Sequence, residues 1–208
     1  MIIPILYGIV ASRAVRNIWL LEELGAPYTR VHTSYKNKAT HTPEFLAINP
    51  NGHIPALVDG DVVLWESMAI NLYLARKHGG ALAAQNLAEE AEVLKWSFWA
   101  ITELERDALT VLMHRLAMPA EQRKPELAAQ AEGALRKPLA VLNAHLESKD
   151  FMLDNRFTVV DINLACIINW VRPAKDLLGS YPHITRWLAA CLAREAYVRL
   201  QAMGRAEA

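Results

Sequence analysis

The stretch NGHIPALVDGDVVLWES, residues 51–67, has the pattern of a proline-led β-hairpin followed at once by a helix. Pro55 has no backbone N–H to donate to a sheet, so it belongs at the start or edge of a strand. Two apolar runs flank Asp59-Gly60-Asp61, a strong signal for a hairpin turn. Ile54 would then present its backbone N–H and C=O at the lip of the hairpin. Such an unpaired edge could hold an extended, peptide-like ligand.

Two halves of the chain follow different patterns. The first 78 residues alternate between strand and helix signals and predict the order β-α-β-α-β-β-α. In chain order these elements are strand 2–7, helix 12–24, strand 28–32, a helix from Pro43, the hairpin and helix 66–78. From Asn86 onward only helical periodicity appears, in runs 89–116, 119–147, 157–171 and 181–203. The segment GGALAAQNL therefore marks a domain boundary.

Composition excludes several classes of protein. Hydrophobic residues make up 53% of the 208 residues and charged residues 21%, which favours a packed core over disorder. Twenty-two basic and 22 acidic side chains cancel, so there is no electrostatic signature of a nucleic-acid partner. The apolar N-terminal run is too short to span a bilayer. The histidines lack metal-ligand spacing, so no metal site is predicted.

The two cysteines of the chain indicate the redox state of its cellular compartment. Cys166 and Cys191 lie in apolar, helical stretches and form no CxxC motif. This pattern favours buried thiols in a reducing compartment and predicts a cytoplasmic protein, with a disulfide as the alternative.

A helix start is marked in the second half. Thr158 and Asp161 have the S/T-x-x-D spacing of a capping box. They are predicted to act in folding, and loss of the Asp161 cap is expected to cost about 1 kcal/mol.

Four segments in register resemble one family. LYG (6–8) leads into SRAVRNIWLLEELG (12–25), and TPEFLAINPNGHIPALVDGD (42–61), ESMAINLYLA (66–75) and FTVVDINLA (157–165) follow. Together with the order of the two halves, they resemble the glutathione S-transferase superfamily, with a serine-type, theta- or phi-like active site. The resemblance implies an α/β thioredoxin-like, glutathione-binding domain at 1–79, a linker at 80–88 and an all-α helical-bundle domain at 89–208.

The resemblance also implies how glutathione is bound. The proline matching Pro55 is cis in the family, and the residue matching Ile54 pairs its backbone with the cysteinyl unit of the tripeptide. Ser67 can offer its hydroxyl and N–H to the γ-glutamyl carboxylate, while Glu66 can accept bonds from the ammonium group. Both residues would equally suit a simple helix cap.

The glycyl carboxylate of glutathione needs donors of its own. His53 stands where family members often have Lys or Gln, and His41 lies in the loop that commonly supplies a further basic contact. Thr40 is the alternative match to a histidine of that loop, and either histidine could be an ordinary surface residue.

A donor is also needed to stabilise the thiolate, because a free thiol has a pKa of about 8.5. The resemblance assigns this role to Ser12, four residues before Arg16, and Arg13 could add positive charge. Tyr7, on the first strand, is the alternative. Without a catalytic role, Ser12 would be an N-cap and Tyr7 a core aromatic.

The second substrate is expected in an apolar cleft where the helical half faces the thiol. The candidate residues are Trp99, Leu109, Met113, Trp170 and Arg172. Relatives are commonly homodimers, so a homodimer is expected, with Met68, Tyr73 and Trp96 as contacts or as core.

The expected function is that of a glutathione S-transferase, which activates the glutathione thiol for attack on a hydrophobic electrophile. Two alternatives remain open at this point. One is a glutathione-binding module that has lost its chemistry, and the other is a different glutathione-dependent reaction, such as dehalogenation, isomerisation or peroxide reduction.

Overall fold

The first half of the chain is built on a mixed sheet. The computed structural model describes residues 3–207. Strands β1 (Ile5–Tyr7), β2 (Thr29–Val31), β3 (Ala56–Asp59) and β4 (Val62–Trp65) form a sheet in the order β2-β1-β3-β4. The β1–β2 pair is parallel, and the other two pairs are antiparallel. The predicted fold class and hairpin are confirmed, while Ile2, the predicted start of the first strand, lies outside the described residues.

Three helices accompany the sheet: α1 (Val15–Leu24), α2 (Pro43–Ile48) and α3 (Ser67–His78). Helix α1 ends at Gly25, whose φ of 58° is left-handed and whose N–H bonds to the carbonyl of Leu21. Helix α2 begins as predicted, because the Thr42 hydroxyl accepts a bond from the N–H of Phe45. Apolar side chains of these helices and of the sheet are fully buried, among them Leu6, Ile18, Trp19, Leu57, Ile70 and Leu74.

The start of α1 differs from the prediction. A helix was expected from Ser12, but residues 11–14 form a turn instead. In this turn the N–H of Val15 bonds to the Ser12 carbonyl and the N–H of Arg16 to the Arg13 carbonyl, both three residues back. This tight bonding pattern delays the regular helix by three residues and leaves Ser12 in the connecting loop.

The second half is helical. One continuous run contains α4 (Leu87–Trp99), a π-helical segment Ala100–Glu105, α5 (Arg106–Leu112) and a second π-helical segment Met113–Ala117. The remaining helices are α6 (Pro125–His145), α7 (Val159–Asn169), α8 (Lys175–Gly179), α9 (Pro182–Leu192) and α10 (Glu195–Ala206).

Helix α7 is the core of the helical half, because all of its residues except the last are buried. Its capping box is confirmed, since Asp161 accepts bonds from the backbone N–H and the hydroxyl of Thr158. The same carboxylate also accepts bonds from the N–H of Met152 and the indole N–H of Trp187, each at 2.8 Å. Burial raises the pKa of Asp161 to about 6, although these bonds act to lower it.

The single helix predicted over 181–203 is wrong. The chain breaks between α9 and α10, where Arg194 has extended backbone angles. Neither proline nor glycine stands at this point. The break coincides with a long-range ion pair, in which the Arg194 guanidinium donates two bonds to Glu23, at 2.7 and 2.8 Å.

Contacts divide the chain into two compact units. The first contains the residues up to Ala83 and those from Arg194 onward, and the second contains Ala84–Ala193. The sequence had grouped all of 89–208 together, whereas α10 packs within the first unit. Across residues 3–207, none of the helices has the length and apolar character to cross a membrane.

Candidate active site

Strand register brings three segments to one edge of the sheet. Tyr7 of β1 is paired with Ala56 of β3, and Ala56 is paired with Trp65 of β4. Gly8 directly follows Tyr7, Pro55 directly precedes Ala56 and Glu66 directly follows Trp65. These three residues therefore lie at the same edge of the sheet. The connecting loop with Ser12, the Ile54-Pro55 bond and the start of α3 therefore converge.

Gly8 is required for the loop after β1 to turn. A β-carbon placed on Gly8 would lie 2.5 Å from the β-carbon of Ala14 and 3.9 Å from that of Ile54. A side chain at this position would therefore collide with the turn that precedes α1. The close approach also places the loop beside Ile54.

Ser12 has both sides of its hydroxyl engaged within the loop. Its Oγ donates to the carbonyl of Ile9 at 2.7 Å and accepts from the N–H of Ala14 at 3.1 Å. Ser12 is half-buried at the N-terminal side of α1, where the helix dipole favours negative charge. The hydroxyl proton must turn away from Ile9 before it can be donated to a ligand.

Tyr7 has a different environment. Its ring packs edge-on against Phe45, with the centroids 6.0 Å apart, and its side chain is half-buried. Its position on β1 is fixed by pairing with Val31 and Ala56. These contacts suit the core-aromatic role as well as the alternative catalytic one.

The two arginines near Ser12 differ in burial. Arg13 is exposed, in keeping with a source of positive charge next to Ser12. Arg16 is only 1% exposed, and its Nη1 donates to the hydroxyl of Ser67 at 2.9 Å. Arg16 therefore bonds the serine that the resemblance places at the γ-glutamyl carboxylate.

Ser67 begins α3 and is 4% exposed. Because its hydroxyl accepts the Arg16 bond, its own proton is left for donation. The first turn of α3 has no side-chain cap, so its N–H groups point toward the start of the helix without a capping partner. A carboxylate placed here would meet N–H donors, a hydroxyl donor and the positive end of the helix dipole.

Glu66, directly before this helix, is exposed and has a φ of 73° and a ψ of 112°. A positive φ at a residue other than glycine costs on the order of 1–3 kcal/mol and is concentrated at functional sites. The simple-cap alternative is not realised, because the Glu66 side chain makes no capping bond.

Two buried asparagines were missed by the sequence analysis: Asn17 holds the backbone of Ser67, and Asn71 bonds to Asn17. The amide of Asn17 donates to the Ser67 carbonyl and to the side-chain oxygen of Asn71, each at 2.7 Å. Asn71 in turn donates to the Arg16 carbonyl at 3.3 Å. Polar residues inside two apolar helix faces were the available signal, because a buried amide requires partners.

The peptide bond between Ile54 and Pro55 is cis, as the resemblance implied. Ile54 is half-buried and directly precedes β3, so its backbone lies at the end of the sheet ladder. Asn49 donates to the carbonyl of His53 at 2.7 Å and so fixes the chain just before Ile54.

The two histidines lie on neighbouring loops, and both are exposed. The Nδ1 of His41 bonds to the hydroxyl of Thr40 at 2.9 Å. Its Nε2 lies near Gly52, since a β-carbon on that glycine would be 3.2 Å away. Gly52 has a φ of 63°, which carries the chain toward His53. The His41 ring thus borders the segment that ends in Ile54.

The five candidates for the electrophile site belong to the helical unit. Trp99, Leu109, Met113 and Trp170 are half-buried, and Arg172 is exposed. Trp99 packs edge-on against Trp96, with the centroids 5.0 Å apart. Met113 opens the second π-helical segment. These exposures leave each of the five side chains part of its surface for a ligand.

No metal is implied by the site. Among residues 3–207, no group of three or more His, Cys, Asp or Glu side chains is arranged to hold a metal ion.

Comparison with known proteins gives one consistent result. The family model described as glutathione S-transferase, N-terminal domain, matches residues 4–76, and the model described as glutathione S-transferase, C-terminal domain, matches residues 106–195. Among curated proteins, glutathione S-transferase 3 of Zea mays is 34% identical over 201 residues, covering 92% of this chain and 90% of the relative. Glutathione S-transferase GstB of Escherichia coli is 32% identical, covering 92% and 94%.

A solved structure adds a bound ligand to the comparison. The theta class glutathione S-transferase of Xanthomonas axonopodis pv. citri, with glutathione bound, is 31% identical to this chain. It superposes with a TM-score of 0.85, covering 96% of this chain and 97% of the other.

Proposed function

Because this chain belongs to the glutathione S-transferase family, we propose that it binds glutathione and transfers it to an electrophilic carbon of an apolar compound. The observation that carries the proposal is the convergence of the Ser12 loop, the Ile54-Pro55 bond and the Ser67 helix start at one sheet edge. The similarity to a theta class structure supports a serine-type, theta- or phi-like site.

Glutathione is proposed to lie along this edge as an added strand. Its γ-glutamyl carboxylate bonds to the hydroxyl and N–H of Ser67, and its ammonium group bonds to Glu66. Its cysteinyl backbone pairs with Ile54. Its glycyl carboxylate meets His41 and His53.

Ser12 is proposed to stabilise the thiolate. On ligand binding its hydroxyl turns from the Ile9 carbonyl to the sulfur, exchanging a neutral hydrogen bond for a charge-assisted one. Charge-assisted hydrogen bonds are roughly twice as strong as neutral ones, so the exchange is favourable. Arg13 and the start of α1 add positive potential. Tyr7 is the alternative donor.

The thiolate then attacks the electrophile and forms a carbon–sulfur bond. In a substitution the leaving group departs with its bonding electron pair; in an addition to a conjugated double bond the π electrons move onto the electron-withdrawing group, and water supplies the proton. Trp99, Leu109, Met113 and Trp170 are proposed to contact the apolar body of this second substrate. Arg172 would attract an anionic or electron-poor group on it.

We also propose that the protein is a homodimer in the cytoplasm. Met68 and Trp96, two of the contacts considered from the sequence, are 4% and 6% exposed and belong to the core. Leu94, Phe98 and Ile101 instead form an exposed apolar stripe at helical spacing, for which a second copy is the proposed partner. The buried thiols of Cys166 and Cys191 suit a reducing compartment.

The test is a titration of the protein with glutathione, following thiolate absorbance in the ultraviolet against pH. S-methylglutathione, which has no thiol, serves as the matched blank. A bound thiol with a pKa well below the value of about 8.5 for a free thiol supports activation. Glutathione that binds without a lowered thiol pKa identifies a binding module. A panel of alkyl halides, isomerisable substrates and peroxides then separates transfer from other glutathione-dependent reactions.

A further inference from the structure

A carboxylate after the last helix contacts the loop that contains Ser12. The Oε2 of Glu207 accepts a hydrogen bond from the backbone N–H of Val10 at 2.8 Å. Val10 is two residues before Ser12, and the two contacting residues are 197 positions apart in the sequence. Both belong to the first compact unit.

Glu207 and Ser12 bind opposite sides of the same peptide group. The N–H of this group belongs to Val10, and its C=O belongs to Ile9. The Ile9 carbonyl accepts the hydroxyl of Ser12 at 2.7 Å, while the Val10 N–H donates to Glu207. Before glutathione binds, the peptide group therefore links the Glu207 carboxylate to the Ser12 hydroxyl by two hydrogen bonds.

The charge of Glu207 stands at an unfavourable place for the helix itself. Glu207 is the C-cap residue of α10, where the helix dipole disfavours a negative charge. A tertiary ion pair balances this charge, because Oε1 of Glu207 lies 2.5 Å from a guanidinium nitrogen of Arg30 on β2. Gly204 permits the approach, since a β-carbon there would lie 3.0 Å from Val10.

The docking of α10 does not depend on Glu207. Arg199 donates to the carboxylate and to the carbonyl of Glu22, each at 3.1 Å. The ring of Tyr197 lies 4.6 Å from that of Trp19. These contacts anchor α10 on α1 and leave the loop untouched, so the loop contact can be removed separately.

We propose that Glu207 is a positioning residue for thiol activation: it fixes the Ile9–Val10 peptide and so sets the place from which the Ser12 hydroxyl reaches the sulfur of glutathione. This inference rests on the proposed role of Ser12. Loss of Glu207 lets the peptide group turn, so the loop backbone that carries Ser12 is held less well. The hydroxyl, once it has left the Ile9 carbonyl, then reaches the sulfur from a less well defined position. The contacts of Ser67 and Ile54 with glutathione are not altered.

The test combines three variants with hydrogen exchange, a titration with glutathione and thermal unfolding. Glu207→Ala removes the acceptor, Glu207→Gln keeps a carbonyl oxygen for Val10, and Arg199→Ala weakens the docking of α10 elsewhere. Hydrogen exchange of the peptide covering residues 6–14 reports on the loop. The thiol pKa of bound glutathione, with its dissociation constant, reports on activation.

We expect Glu207→Ala to speed exchange in residues 6–14 and to raise the thiol pKa by about one pH unit, a tenfold loss of thiolate below the pKa. Its dissociation constant for glutathione should stay near the wild-type value at a pH where the thiol is protonated. Glu207→Gln should recover most of both losses. Arg199→Ala should lower the melting temperature and leave the thiol pKa unchanged.

Unchanged exchange of the loop in Glu207→Ala would overturn the inference. So would faster exchange with a thiol pKa that stays low, or a thiol pKa that falls because the hydroxyl is released from Ile9. Failure of the proposed function is seen separately, in the unsubstituted protein: glutathione bound there with an ordinary thiol pKa overturns both.

Discussion

The guanidinium of Arg16 donates a hydrogen bond to the hydroxyl of Ser67 over 2.9 Å, and both side chains are buried. This contact connects α1 with the start of α3. It keeps a positive charge directly behind the place proposed for the γ-glutamyl carboxylate. If Ser67 binds glutathione as proposed, Arg16 supports that binding through Ser67 without being required to contact the ligand.

Arg16→Lys should weaken glutathione binding about tenfold, because a bond from a charged donor contributes roughly 1.5–3 kcal/mol and lysine lacks the planar guanidinium. Calorimetric titration measures the effect. Ser67→Ala is the partner variant. The double variant should bind glutathione little more weakly than the single variant that binds it less well, since both substitutions remove the Arg16–Ser67 bond. Strictly additive losses would show that the two residues act independently.

Ser12→Ala should raise the pKa of bound glutathione and lower kcat by about a hundredfold, the usual order for loss of one donor to a developing negative charge. Tyr7→Phe is the control, because it keeps the ring contact with Phe45 and leaves the Ser12 donor in place. It should lower kcat by less than about twofold and leave the thiol pKa nearly unchanged. Stopped-flow turnover and the ultraviolet titration measure both. The reverse pattern would assign activation to Tyr7.

Asp161→Ala should destabilise the helical unit by about 3 kcal/mol or more, which exceeds the loss expected for a cap alone. The reason is that the variant leaves the indole N–H of Trp187 and the backbone N–H groups of Met152 and Thr158 buried without their acceptor. Denaturant unfolding gives the value. A loss of only about 1 kcal/mol would mean that Asp161 acts as a cap and nothing more.

The pH dependence of stability should also carry a contribution from Asp161. Its pKa is raised to about 6 in the folded state, against about 3.9 in an unfolded chain. Between these values the folded protein holds a proton that the unfolded chain has released, so this stabilisation is complete below about pH 4 and lost by about pH 6. A difference of two pKa units corresponds to roughly 3 kcal/mol.

Asp161→Asn isolates this contribution, because it removes the titration and keeps the size of the side chain. The unfolding free energy of wild type minus that of the variant should fall as pH rises from 4 to 6, then stay constant. A difference that stays constant over this range, and rises with pH only below about pH 4, would show that the hydrogen bonds outweigh burial and lower the pKa.

Phe98→Glu should convert the proposed homodimer into a monomer. Phe98 is 64% exposed at the centre of the apolar stripe, and a buried unpaired carboxylate in an interface is costly. Sedimentation equilibrium measures the mass. Val141→Glu, an exposed apolar position on α6, is the matched control and should leave the mass unchanged. A wild-type protein that sediments as a monomer would contradict the proposal.

Local signals accounted for much of the fold. The hairpin follows from Pro55 and the Asp59-Gly60-Asp61 turn, and the start of α7 follows from its capping box. The break at Arg194 was missed, because its ion pair with Glu23 joins residues 171 positions apart and leaves no local pattern.

The residues of the candidate site also fall into those with a local sequence signal and those without one. The proposed ligand-contacting residues Ser12, Ile54 and Ser67 stand in short motifs, so the resemblance could identify them. Asn17 and Glu207 act on them through contacts across 50 to 197 residues of sequence. Periodicity and spacing carry no information about such partners, and only the packing of α1, α3 and α10 brings them together.

The membership of α10 in the first unit has a consequence for the order of synthesis. That unit is discontinuous, because its last segment begins at Arg194, whereas the helical unit is one uninterrupted stretch, Ala84–Ala193. Domains generally fold as units while the chain is being made, the N-terminal one first. Here the helical unit is translated in full before the α/β unit receives Glu207. The unit whose translation begins first is therefore completed after the helical unit.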